Sequence, residues 1–141
     1  MKLAGKRLLF VDDERGIRET LSLILLRYGF TVTTAATVEE ALAQIKAQSF
    51  DLLLCDLNID SKGDGYTVVR AMREVAPGCV VIVLTGYPDM ESADEGVWHG
   101  IDDYIAKPAD ANLLVALLAQ KLAARDKTSE TTRTVDTTRI P

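Results

Sequence analysis

Short strand-like runs, most of them apolar, alternate five times with longer stretches in which apolar residues recur every three or four positions. The first run, Arg7-Leu-Leu-Phe-Val11, is followed by Ile17, Leu21, Ile24 and Tyr28 at steps of four, three and four, one face of an amphipathic helix that Gly29 closes. Phe30 to Ala35 is rich in β-branched residues and predicts a second strand. Thr37 and Glu40 have the spacing of a capping box, opening a helix that turns Ala41, Leu42 and Ile45 inward and ends near Ser49. Asp51 to Cys55 is a third strand. A polar loop then leads to a helix from about Asp64 that places Val68, Val69 and Met72 on its core side, and Pro77-Gly78 stops it. Val80 to Leu84 and Asp102 to Ala106 are further strands. The helix between them, near Asp89 to His99, has Met90, Ala93 and Val97 at core spacing, but the internal Gly96 costs it ~1 kcal/mol relative to alanine. A leucine- and alanine-rich helix runs from Asp110 to about Arg125.

This alternation predicts an α/β fold with right-handed crossovers and a parallel sheet covered on both faces. Residues 6–125 are expected to form one domain, since 141 residues at 48% hydrophobic content suffice for a single core. From Asp126 to Pro141 the chain has six threonines and six charges and almost no large apolar side chain. It cannot bury enough surface to fold alone, so it reads as a disordered tail or a truncated linker.

Charge and cysteines narrow the class of partner. The formal net charge is −5 and no basic run appears, which argues against direct nucleic-acid binding and against an anionic membrane face. No apolar stretch approaches the length of a membrane span, and Met1-Lys-Leu-Ala-Gly5 leads straight into a strand rather than into a signal-peptide core. A cytoplasmic location is therefore expected. Cys55 and Cys79 lack metal-ligand spacing and a disulfide framework, and are expected as buried free thiols. His99, the single histidine, reads as a surface residue rather than a phosphohistidine carrier.

The candidate chemistry lies at the strand ends. Asp12 and Asp13, Asp56, Thr85 and Lys107 each follow an apolar run directly, and in a parallel sheet all strand C-termini share one edge. Residues scattered over almost a hundred positions thus converge as three carboxylates, a hydroxyl and an ammonium. Clustered carboxylates call for a compensating cation, and oxygen ligands suit Mg²⁺. Carboxylates, a metal, an ammonium and a hydroxyl together are what phosphoryl transfer requires, because positioning and charge neutralisation do most of that work. Asp56, alone at the end of a central apolar strand, is the candidate acceptor. The Asp12–Asp13 pair is better placed for the metal.

Phe10-Val-Asp-Asp-Glu14, Leu54-Cys-Asp-Leu57, Asp64-Gly65, Val83-Leu-Thr-Gly86 and Asp102-Asp-Tyr-Ile-Ala-Lys-Pro108 stand in the order and spacing of response-regulator receiver domains of two-component signalling, which the chain resembles over roughly residues 6–124. The resemblance implies a flavodoxin-like doubly wound fold of five strands in order 2-1-3-4-5 with five helices. It implies that Asp56 takes a phosphoryl group from the phosphohistidine of a sensor histidine kinase or phosphotransfer protein. Mg²⁺ would be held by the carboxylates of Asp13 and Asp56 and the backbone carbonyl of Asn58, with Asp12 acting through water. Thr85 and Lys107 would contact the phosphoryl oxygens, Tyr104 would change rotamer with Thr85 as the switch, and a cis peptide at Pro108 would aim Lys107. Asn58 and Tyr87 hold positions that tune hydrolysis of the phosphoaspartate in the family. The implied partners are the kinase and a downstream protein target or an output domain absent from this chain, with a phosphorylation-dependent homodimer among the expectations.

Two features depart from the family pattern. The loop from Leu57 to Gly65 is one residue longer than the common form, with Asp60 where proline is usual. Trp98 lies one step off the Met90, Ala93, Val97 stripe and is a candidate anchor of an output interface. A hydrolase of the haloacid dehalogenase type also uses strand-end carboxylates, a threonine and a lysine. Such enzymes carry a second acid two residues after the nucleophile, where this chain has Asn58, so an enzyme turning over external substrates is disfavoured. A vestigial interaction module is disfavoured by the complete set of pocket residues.

Overall fold

The computed structural model describes residues 3–86 and 100–138, with side chains described through residue 127. Strands β1 (Arg7–Val11), β2 (Thr31–Ala35), β3 (Leu52–Asp56), β4 (Val80–Thr85) and β5 (Asp103–Ala106) form one parallel sheet in the order β2-β1-β3-β4-β5. Among the described residues, four helices accompany it: α1 (Arg15–Arg27), α2 (Val38–Ala47), α3 (Gly65–Val75) and α4 (Ala111–Thr138). The helix expected near Asp89 to His99 lies outside the described residues, together with Tyr87 and Trp98. None of the described helices is long and apolar enough to cross a membrane.

Neighbouring strand residues point to opposite faces, so each apolar run supplies two cores at once. Leu9, Val11, Leu53, Cys55, Val81 and Val83 pack with Ala41 and Ile45 of α2 and Val68, Val69 and Met72 of α3. Leu8, Phe10, Leu52, Leu54, Ile82 and Leu84 pack with Leu21 and Leu25 of α1 and Leu114, Leu118 and Leu122 of α4. The central strand β3 is buried along its whole length.

Three local details differ from the expectation. The buried line of α1 runs through Leu21 and Leu25, whereas Tyr28 is 39% exposed. As the C-cap residue it lies past the last turn, and its hydroxyl donates to Asn112 Oδ1 at 3.2 Å instead of entering the core. At α2, Thr37 Oγ1 accepts from Glu40 N at 3.1 Å, but Glu40 Oε1 reaches back to Ala36 N (3.3 Å), one residue upstream of the usual capping-box partner. At the C-terminus, α4 continues past Arg125 to Thr138. Among the described residues the core positions of α4 end at Leu122, but a helix already nucleated extends through residues of middling propensity at little cost.

Candidate functional site

Strand register explains how the pocket assembles. Val11 stands beside Cys55, so Asp12 and Asp56 are the next residues out at the same sheet edge. Asp56 pairs with Leu84, which brings Thr85 alongside, and Thr85 pairs with Ala106, which brings Lys107. Lys107 N–H donates to Thr85 O at 2.9 Å, extending that register past the end of β5. Asp12, Asp56 and Thr85 are buried while Asp13 is exposed, so the cluster has a closed floor and one acid at its mouth. Carboxylate oxygens of Asp12, Asp13 and Asp56 lie within 4.8 Å of one another. The Lys107–Pro108 peptide is cis.

One ammonium serves two carboxylates. Lys107 Nζ lies 3.0 Å from Asp56 Oδ2 and 3.1 Å from Asp12 Oδ2. Burial pushes the Asp56 carboxyl above the ordinary carboxylate range, and the hydrogen bond and charge of Lys107 only partly offset it. Burial works the other way on Lys107, but its hydrogen bond to Asp56 and its charge contacts with Asp56 and Asp12 prevail and hold the ammonium above its usual range. The two directions agree physically: two acids over-compensate one ammonium, while each acid receives only a share of it.

The donor set fits a hard divalent cation. Asp12 Oδ2 is fully buried and makes no aligned hydrogen bond, despite its proximity to Lys107. A buried carboxylate oxygen left this way, beside two further carboxylates, is what a coordinating ion would satisfy.

Backbone groups complete the surroundings. Asn58 N–H donates to Asp56 Oδ1 at 3.2 Å. Asp12 Oδ1 accepts from Glu14 N at 2.9 Å, and Arg18 Nη1 donates to the Asp12 carbonyl at 2.8 Å. Arg18 was not signalled by the sequence, because it acts on a backbone oxygen that leaves no pattern. Asp64 and Tyr66 were likewise missed as side chains that act: Asp64 accepts three backbone N–H groups, and the Tyr66 hydroxyl lies 3.5 Å from that of Tyr104. Tyr104, on β5, is not part of the acid cluster; it packs against the core layer of α2 and α3. Trp98 and Tyr87 fall outside the described residues.

A doubly wound sheet with an acid cluster and a lysine at its C-terminal edge is the arrangement expected of a receiver domain rather than of a catalytic barrel or a dinucleotide site. The chain matches the response regulator receiver domain over residues 8–119 and belongs to that family. It is similar to the photosynthetic apparatus regulatory protein RegA of Cereibacter sphaeroides, 38% identical over 118 residues, which are 83% of this chain and 64% of RegA. The chain therefore spans a little under two thirds of that relative. Among solved structures it is similar to a CheY-like receiver domain protein from Methanospirillum hungatei, with a TM-score of 0.81 and 32% identity over 89% of this chain and 99% of the other. It is also similar to a Burkholderia pseudomallei response regulator solved with a phosphorylated aspartic acid, calcium ion and citrate (TM-score 0.74, 29% identity, 88% of this chain and 72% of that one).

Proposed function

We propose that this chain is a phosphorylation-controlled switch in which Asp56 accepts a phosphoryl group from the phosphohistidine of a sensor histidine kinase or phosphotransfer protein. The observation that carries the reading is the Lys107 ammonium set between the buried carboxylates of Asp56 and Asp12, at 3.0 and 3.1 Å, in a cluster with Asp13. A phosphorylated aspartic acid in the similar Burkholderia protein supports the same role for the acid at this strand end.

In the transfer, an Asp56 carboxylate oxygen bonds to phosphorus as the P–N bond to the donor imidazole breaks, the electron pair leaving with the ring nitrogen. Mg²⁺ held by Asp13, Asp56 and the Asn58 carbonyl, with Asp12 acting through water, would neutralise charge on the phosphoryl oxygens. Burial keeps water scarce around Asp56, and its raised proton affinity keeps it a competent nucleophile once ionised. Transfer moves negative charge outward from Asp56 onto the phosphoryl oxygens. Lys107 follows that charge, and the Thr85 hydroxyl meets another of the oxygens. Tyr104 then repacks between the core layer and the surface, changing what the β5 side of the molecule presents.

The switching unit is residues 6–125, in the cytoplasm, acting on a downstream protein or an output domain, with a phosphorylation-dependent homodimer as one form of output and Trp98 as an interface anchor. Its only catalysis is its own phosphorylation and slow self-dephosphorylation, with Asn58 in place of a hydrolase's second acid. Intact mass after incubation with acetyl phosphate and Mg²⁺ tests the reading. The expected result is gain of one phosphoryl group, lost in Asp56→Ala and without metal. No gain by the folded protein would leave a vestigial interaction module.

A further inference from the structure

The loop joining β3 to α3 is one residue longer than the common receiver form, yet two side chains hold its backbone at four points. Asp64 Oδ1 accepts from Ile59 N at 2.7 Å, and Oδ2 accepts from Asp60 N at 3.0 Å and Ser61 N at 3.1 Å. Asn58 Oδ1 accepts from Gly63 N at 2.7 Å. Gly63 stands at φ +77°, a left-handed conformation that glycine enters without steric cost. The chain turns back there, and the Gly63 N–H meets Asn58. The Asn58 N–H in turn donates to the acceptor oxygen Asp56 Oδ1.

A peptide unit is planar and trans, so its C=O and N–H point in opposite directions. The unit joining Asn58 to Ile59 can therefore be oriented from its N–H end. With Ile59 N–H fixed on Asp64, the Asn58 carbonyl points away from Asp64. That carbonyl is the single backbone oxygen in the proposed ligand set, and Asp64 is not one of the three clustered carboxylates. We infer that Asp64 is a positioning residue for the divalent cation, acting through the Asn58–Ile59 peptide rather than by ligation. The inference rests on the proposed cation pocket of Asp12, Asp13 and Asp56 with the Asn58 carbonyl among its ligands.

The residue type matters. An ionised carboxylate is acceptor-only and forms the stronger, charge-assisted bonds, so it can take all three N–H groups. Asparagine would keep one acceptor oxygen and turn an NH₂ toward donors it cannot satisfy. A glutamate keeps the charge but displaces the carboxylate by a methylene.

Calorimetric titration of the full chain with Mg²⁺ alone provides the test, run on wild type, Asp64→Asn, Asp64→Glu and Asp60→Asn. Asp60 is exposed, enters the clamp only through its backbone N–H, and removes the same charge from the same loop. Both Asp64 variants are expected to weaken Mg²⁺ binding about tenfold, the lower end for loss of a partner that orients a ligand. Asp60→Asn should weaken it far less. If Asp64→Asn does not fold, Asp64→Glu decides alone, its fold checked by circular dichroism. Equal weakening by Asp60→Asn and Asp64→Asn, with Asp64→Glu like wild type, would reduce the effect to charge and overturn the inference. So would variants that melt earlier but bind Mg²⁺ as wild type does. Wild-type protein that binds no Mg²⁺ would instead remove the cation pocket itself, and this inference with it.

Discussion

At the scale of single residues, Lys107 governs the electrostatics of the pocket. Replacing it with methionine leaves two buried carboxylates facing each other without an ammonium. Removing one partner of a fully buried pair costs 3–5 kcal/mol, and since the Lys107 side chain is 21% exposed, Lys107→Met should cost about 2–3 kcal/mol in chemical denaturation at neutral pH. Added Mg²⁺ should restore part of the loss, and an unchanged unfolding midpoint would show that the ammonium does not compensate these acids. Asp56→Asn works in the opposite direction. The folded-state pKa of Asp56 is raised, so the folded protein binds that proton more tightly than the unfolded chain, and ionising Asp56 lowers stability as pH rises from about 4, the ordinary aspartate value, through the folded-state pKa. Asp56→Asn should therefore be more stable than wild type at pH 7, with the advantage gone below about pH 4. An advantage that grows on acidification would reverse the sign of the argument. These pocket side chains were legible in the sequence because each directly follows an apolar run. Arg18 was not, and Asp64 stood in the Asp64-Gly65 motif without its action being readable, because their partners are backbone groups, whose positions depend on the folded loop rather than on residue type.

At the scale of elements, the junction of β3 with α3 leaves no room for a side chain at Gly65. A Cβ at Gly65 would lie 2.8 Å from Leu57 Cα and closer still to the Asp56 carbonyl oxygen, and Gly65 N–H already donates to Leu57 O at 2.8 Å. No side chain fits without moving the acceptor strand. Gly65→Ala is expected to cost about 2–4 kcal/mol by thermal or chemical unfolding, within the range of backbone strain and overpacking. Wild-type stability would mean that the loop yields freely. The two thiols report on the same strands: Cys55 and Cys79 are 0% and 3% exposed, and burial pushes both up, Cys79 to about 12. A disulfide reagent at pH 8 should leave both unmodified in the folded protein and modify both after unfolding. Rapid native-state reaction of Cys55 would reveal opening at the end of β3. The central strands were readable because a parallel strand buried on both faces is continuously apolar, as Leu52-Leu-Leu-Cys55 is. Helix ends were less so: Tyr28 fits the periodic stripe of α1 yet lies beyond its packed turns.

At the scale of the whole molecule, the switch must carry a local charge change to a surface. Among the described residues, Tyr66, at the start of α3 after the loop that follows Asp56, comes within 3.5 Å of Tyr104 on β5, hydroxyl to hydroxyl, a contact the proposed switch would use. The proposed unit, residues 6–125, gains ion pairs just at its boundary, where Arg125 reaches Asp51 and Lys6 reaches Asp126. A chain truncated after Lys127 should keep Mg²⁺-dependent phosphorylation and unfold within about 0.5 kcal/mol of the full chain, as expected when only surface features change. Loss of cooperative unfolding would place the C-terminal segment inside the folding unit. Composition alone could not show α4 continuing to Thr138, because extension of a formed helix asks little of its residues.

The central claim is that Asp56 is the acceptor, and borohydride trapping tests it most directly. Reduction of an aspartyl phosphate converts that aspartate to homoserine, which peptide mass spectrometry then locates in the chain. The account predicts homoserine at position 56 alone, only after incubation with phosphodonor and Mg²⁺. Homoserine at position 12 or 13, or phosphoryl uptake with no reducible acyl phosphate, would contradict it.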